Sequence, residues 1–279
     1  MPENLTDLVA KMFIARRDVK AIQHSDGSWS PHTTDGKKES PRLPWKRKDI
    51  DAHLSGEVTY GHYMLSQDDQ VKLFAFDIDL NTNVAEDKPN PFQGYWKVYD
   101  DDHLDGAPVM FDARECWRDR KHPSRRFTKT EFRLIATELM AAIESELEIP
   151  CAAAYSGGKG IHVYGFTGLI PAADAREGAD IVLETVGGWE ATRGGNFYRP
   201  KNWQDSRTPF RNLTIEVFPK QDSLAGKDLG NLMRLPLGKN RKNSKDPTFF
   251  IDMSAPMTEL VHVDPIRALT ESPWMLAHA

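Results

Sequence analysis

LFAFDIDL, residues 73–80, is the stretch on which the fold turns. Leu73, Phe74, Phe76, Ile78 and Leu80 predict a strand, and successive strand side chains point to opposite faces. Asp77 and Asp79 therefore project together from one side while Phe76 and Ile78 pack on the other. Two carboxylates a few ångströms apart repel each other unless a cation is bound or one stays protonated. A strand can fix them so only if its other face is anchored in a core. A hard divalent ion is the economical partner, because Mg²⁺ takes oxygen ligands and completes its shell with water and substrate phosphates. Two aspartates ending an edge strand in solvent are the plain alternative.

Three further stretches lie downstream. SGGKGIH, residues 156–162, suits an anion: Gly158 and its glycine neighbours let backbone amides approach closely, Ser156 adds a hydroxyl, Lys159 a point charge and His162 a returning donor. It is not a Walker A loop, since a strand follows where a helix should begin. A hairpin tip would explain the glycines but not the histidine. In NLTIEVFPKQ, residues 212–221, Glu216 is an acid inside an apolar strand, either a solvent-facing member or a third carboxylate. GNLMRLPLGKNRK, residues 230–242, offers Arg234 as a planar fork and Lys239 as a mobile charge for phosphate.

The 279 residues suffice for one large domain or two small ones. The start has no signal-peptide pattern, and no stretch approaches the roughly 18 apolar residues that span a bilayer, so a cytoplasmic chain without membrane contact is expected. Only Cys116 and Cys151 occur, with no CxxC, so neither a disulfide framework nor a zinc site is expected. The net charge of -5 conceals basic runs at 37–48, 118–129 and 239–245, and an acidic run at 100–102. Solvated surface is the simple reading of each; three basic runs around one carboxylate site suggest a polyanion.

Apolar spacing predicts helices over 4–13, 48–54, 128–147 and 171–186, the third opened by a Thr128/Glu131 capping box. HSDGSW, residues 24–29, reads as a hairpin tip. Strands are expected in VTYGHYMLS (58–66), paired with 71–80 across SQDDQ, and at 151–155, 161–166, 213–218, 231–236 and 248–251. Residues 81–123 read as a surface insertion. Helices and strands mix without strict alternation, giving an α/β or α+β class with a mostly antiparallel sheet.

In this order LFAFDIDL, SGGKGIHV, IEVFPKQ and GNLMRLPLG resemble the motifs of the archaeo-eukaryotic primase superfamily, the primase-polymerases. HLSGEVTYGHYML ahead of the Asp-x-Asp strand makes the chain most similar to the primase-polymerase domains of TOTE conflict systems and related phage and plasmid enzymes. The resemblance covers most of residues 9–252. It implies an RRM-like antiparallel sheet beside an N-terminal αβ unit, with the active site in the cleft between them. A catalytic domain would span 1–255, including the insertion, with 256–279 an extension packed on it.

The resemblance also implies a template-directed DNA primase-polymerase that makes and extends primers on single-stranded DNA from NTP or dNTP, beside a separately encoded helicase. Asp77, Asp79 and Glu216 would bind two Mg²⁺ or Mn²⁺ ions. Ser156, Gly158, Lys159, His162, Arg234 and Lys239 would hold the triphosphate, and Tyr63 would lie near the sugar. Many relatives carry a cysteine-rich zinc element; this chain has none. The basic runs would follow the template, with Trp45, Trp117 or Trp203 stacking bases or packing in the core. An end-joining polymerase, a metal-dependent nuclease and a non-catalytic single-strand-binding module are the other readings.

Overall fold

Asn4 starts the first helix, α1 (Leu5–Phe13): its side chain accepts the Asp7 backbone N–H at 3.0 Å, and the helix buries Leu8, Val9 and Phe13. A hairpin of β1 (Ala21–Gln23) and β2 (Trp29–Pro31) turns where HSDGSW was expected to turn it, and α2 (Arg47–Leu54) and β3 (Tyr60–Tyr63) complete an N-terminal unit. Then come β4 (Gln70–Leu80), a ribbon of β5 (Gln93–Lys97) and β6 (Pro108–Asp112), α3 (Arg125–Leu147), β7 (Cys151–Tyr155) and β8 (Gly160–Pro171). The chain continues through α4 (Ala172–Val186), β9 (Trp189–Ala191), β10 (Phe197–Pro200), β11 (Leu213–Phe218), β12 (Leu232–Arg234), β13 (Phe249–Phe250) and α5 (Pro265–Thr270). The structure, a computed structural model, describes residues 4–271 apart from 38, 81–92, 98–107, 113–116, 118, 123–124, 193, 204–207, 209 and 244–246. Most of the expected insertion, 81–123, thus lies outside the described residues.

Two antiparallel sheets organise this mixed α/β chain: a seven-stranded one ordered β13-β7-β8-β4-β11-β10-β9 and a four-stranded one ordered β12-β3-β1-β2. The larger sheet has two unlike faces. Helices α3 and α4 cover one, where Phe74, Phe76 and Ile78 of β4 are fully buried. On the other, Phe13 of α1 meets Tyr164 and Phe166 of β8 edge-on at 5.2 and 5.3 Å, and His62 of β3 at 6.2 Å. The N-terminal unit thereby covers one half of this face, and the half bearing Asp77 and Asp79 stays open.

Two local expectations are corrected. β3 does not form a hairpin with β4: its edges are taken by β1 and β12, those of β4 by β8 and β11. Residues 64–69 instead carry the chain from one sheet to the other. The capping box is also absent, because α3 begins at Arg125, and Thr128 and Glu131 lie buried inside it. Burial of Phe127 beside Phe132 and Ile135 extends the apolar face a turn earlier than the cap pattern implies. From the same helix the buried Arg133 donates to the carbonyls of Asp252, Met253 and Ala255, at 2.6 to 3.0 Å. This fork fastens the chain that leads to α5, whose Ala268 and Leu269 join the main core. Among the described residues no helix is long and apolar enough to cross a membrane.

Burial pushes the Glu131 carboxyl up to about 8 from 4.5, against a backbone hydrogen bond from Phe210 and the charge of Arg211. An acid raised in this way contributes stability that is complete below its ordinary range and lost as pH rises through its folded value. Glu131→Gln should match the wild type near pH 4 and exceed it increasingly toward pH 8, by a few kcal/mol, on the order of the lost proton affinity. Denaturant midpoints measured across that range check this, and parallel curves for the two proteins would disprove it.

Candidate active site

Register on the open face brings the expected residues together. Asp77 pairs across to His162 on β8 and to Glu216 on β11, and directly opposed residues of antiparallel strands share a face. His162, Asp77 and Glu216 therefore form a row over three neighbouring strands. Asp79, one step along β4, pairs across to Gly160. A Cβ at Gly160 would meet Asp79 Oδ1 and the Ile78 carbonyl, each at 2.3 Å, so only glycine leaves room for that carboxylate. Gly157, at φ +71°, closes the preceding turn in a conformation that L side chains resist.

Each acid has a basic neighbour. His162 Nε2 lies 3.4 Å from Asp77 Oδ1, and its Nδ1 lies 2.8 Å from the Tyr164 hydroxyl. If the hydroxyl donates to Nδ1, the Nε2 proton is aimed at the carboxylate. Lys159 Nζ is 3.2 Å from Asp79 Oδ2 and also donates to the Leu80 carbonyl. Lys220, four residues beyond Glu216, pairs with it. Arg234 on β12 reaches across from the smaller sheet to donate to the Ser156 carbonyl. The Gly158 carbonyl accepts from the Trp117 indole at 3.0 Å and the Tyr155 hydroxyl at 2.9 Å, which fixes the tip of the glycine turn.

The three acids titrate unequally. Burial raises Asp77, but the charge and hydrogen bond of His162, with Arg234 and Lys159, outweigh it and hold the carboxyl below its ordinary value. Asp79 is raised, first by burial and then by the charge of Asp77, against the pull of Lys159. Glu216 is raised by burial, with Asp77 and Asp79 adding to it and Lys220 opposing. Among the described residues no three acidic, cysteine or histidine side chains form a ready-made cation cage. The donor chemistry nevertheless fits a hard divalent cation, since the converging donors are carboxylate oxygens whose mutual repulsion such an ion would relieve.

Two expected residues are not brought to this cluster. Lys239 lies along α2's end, where a Cβ on Gly56 would meet its Cε at 2.6 Å. Tyr63 packs with Val19, Ala21, Trp29, Leu229 and Leu232 near the charges of Arg42, Arg16 and Asp228. The hairpin expected to bring it beside Asp77 does not form. Trp117 is buried against Phe132, and Trp45 packs on Tyr60, so these two rings serve the interior. The sequence alone assigns no part in the cluster to Lys220 or Tyr164, and gives Gly160 only the general role of the glycine turn. Their signals were the i+4 spacing from Glu216, the glycine opposite an acid, and the i+2 spacing from His162.

The family model described as TOTE conflict system, Archaeo-Eukaryotic Primase domain matches residues 5–191 and 204–269. No curated protein sequence matches the chain.

The opposite shifts of the two aspartates have opposite consequences for stability in chelated buffer. Asp77, depressed, contributes stability present above the ordinary carboxylate value of 3.8 and lost as pH falls below it. Asp79, raised, is a burden on the fold once ionised. Asp77→Asn should therefore lower the melting temperature at pH 7, and Asp79→Asn should hold or raise it. Thermal melts at pH 4 and pH 7 test the pair, and shifts of the same sign at pH 7 would refute it.

Proposed function

The chain belongs to the archaeo-eukaryotic primase domain family of TOTE conflict systems, and from that premise we propose that it is a template-directed primase-polymerase working on single-stranded DNA. One observation carries this reading: His162, Asp77 and Glu216 form a row across three strands, with Asp79 and Lys159 beside it and Arg234 entering from the second sheet. Carboxylates suit metal-assisted transfer, and a histidine, a lysine and an arginine on one flank suit a triphosphate. A nuclease would need the acids but not that flank.

Asp77, Asp79 and Glu216 would hold two Mg²⁺ or Mn²⁺ ions. When bound, these supply Lewis-acid activation of a primer 3′ hydroxyl and neutralise charge on the incoming NTP or dNTP. The chain's own residues position and compensate. Arg234, half-buried and held at the Ser156 carbonyl, would present a fixed charge to the phosphates. Lys159 and the Ser156–Gly158 turn would meet them on the same flank. With the Tyr164 hydroxyl donating to its Nδ1, His162 would keep an Nε2–H directed at the row. The basic runs at 37–48 and 118–129 would follow the template backbone.

The test is synthesis on single-stranded DNA, unprimed and primed, with labelled nucleotides and Mg²⁺ or Mn²⁺. Asp77→Ala and Glu216→Ala should each reduce extension on the order of a hundredfold or more. Lys159→Ala and Arg234→Ala should weaken nucleotide binding more than template binding. Extension at the wild-type rate by Asp77→Ala, or shortened strands in place of extended ones, would sink the proposal.

A further inference from the structure

The row of the active site continues one strand further. Phe197 of β10 pairs across to Glu216, so it stands on the same open face as His162, Asp77 and Glu216. It is 44% exposed, and among the described residues it is the only aromatic side chain among the exposed large hydrophobics. Lys220, which pairs with Glu216, lies 5.5 Å from the centre of the Phe197 ring and 4.6 Å from that of Phe218. Two residues on, and on the same face, Arg199 is ion-paired with Glu190 at 2.8 Å and lies 5.2 Å from the centre of the Trp203 ring. An exposed ring with a cation beside it is well suited to stack a base whose phosphate that cation meets.

The flanks of the row differ in a way that gives it a direction. His162 and Lys159 lie on the β8 side of the acids, and Arg234 is tethered at Ser156 beside them. Pyrophosphate would leave on that side. In an in-line displacement the attacking and leaving oxygens lie on opposite sides of phosphorus. The 3′ oxygen forms its bond to the α-phosphorus as the bond to pyrophosphate breaks, and the hydroxyl proton passes to water. The attacking strand must then arrive over β11 and β10. Neighbouring strands are about 4.8 Å apart, which puts Phe197 about 10 Å from Asp77 and about one nucleotide back from the reacting centre.

We propose that Phe197 and Lys220 form the subsite for the 3′-terminal nucleotide of the primer, the ring stacking on its base and the ammonium meeting its backbone phosphate. This rests on the polymerase reading above. It assigns the β10–β11 edge of the sheet to the primer strand, a role distinct from gripping the nucleotide or the template.

The experiment compares wild type, Phe197→Ala and Phe197→Tyr in the full chain. The probe is a primer–template with a recessed, dideoxy-terminated 3′ end carrying 2-aminopurine as its last base. Without any turnover, wild type and Phe197→Tyr should change the fluorescence of that base, and Phe197→Ala should not. In extension assays Phe197→Ala should raise the KM for the primer terminus roughly tenfold or more, the usual worth of one stacked base, and Phe197→Tyr should restore it. The nucleotide KM and the affinity for unprimed single strands should stay unchanged. Phe197→Ala with a wild-type primer KM, or with the loss in nucleotide KM instead, overturns the subsite while leaving the polymerase reading intact. A wild-type protein that extends no primer overturns that reading, and the subsite with it.

Discussion

Mutual repulsion between Asp77 and Asp79 is the constraint that the rest of the structure serves. A strand places both carboxylates on one face, and that arrangement persists because β4 cannot turn away: it is paired along both edges, and Phe74, Phe76 and Ile78 are sealed beneath α3 and α4. The surroundings then divide the charge instead of dispersing it. His162 and Arg234 lower Asp77, while burial and then the charge of Asp77 raise Asp79. The glycine at position 160 fits the same constraint, since any side chain there would occupy the place of the Asp79 carboxylate.

The second sheet completes what the first cannot. Phe13 of α1 and His62 of β3 close half of that face with apolar contacts, beside the half that bears the carboxylates. Arg234 then reaches from the smaller sheet to the Ser156 carbonyl, so one side chain ties the N-terminal unit to the glycine turn and adds a positive charge near the acids. Arg133 plays a comparable tying part on the opposite side of the large sheet, where it gathers carbonyls from residues 252–255. Arg133 works through a planar fork that satisfies three carbonyls at fixed angles, which a lysine would not reproduce.

Local pattern revealed what depends on local pattern. The Asn4 cap and the apolar stripe of α1, the Asp-x-Asp alternation and the glycine turn before His162 each follow from neighbours in the chain, and each was readable. Pairing choices were not readable in the same way. The spacing between β3 and β4 suits a hairpin, yet both strands find better-matched edges elsewhere, and the sequence separation of β12 and β3 or of β11 and β4 leaves no local trace. The Thr128/Glu131 pair shows the same limit from another side: a pattern with the spacing of a cap was overridden when Phe127 was drawn into the core. Among the clustered residues, Asp77, Asp79, Glu216 and His162 were legible because acids and histidine are conspicuous in apolar strands. Lys220, Gly160 and Phe197 become meaningful only once the register places them beside those acids.

The identity of the resident counter-charges follows from the same logic. Asp79 and Glu216, the two acids that burial and repulsion raise, are paired with lysines, whereas Asp77, the depressed one, faces a histidine held by Tyr164. The lysine side chains are 40% and 33% exposed, so their heads reach water on flexible stems. An ammonium so placed neutralises a carboxylate without locking it; on the polymerase reading it would transfer to a phosphate when a more highly charged cation takes the carboxylate. An arginine in either position would make a bidentate pair that is harder to exchange. On the polymerase reading, the site thus keeps its rigid charge, Arg234, away from direct pairing with the acids and places its mobile charges against the two that must be released.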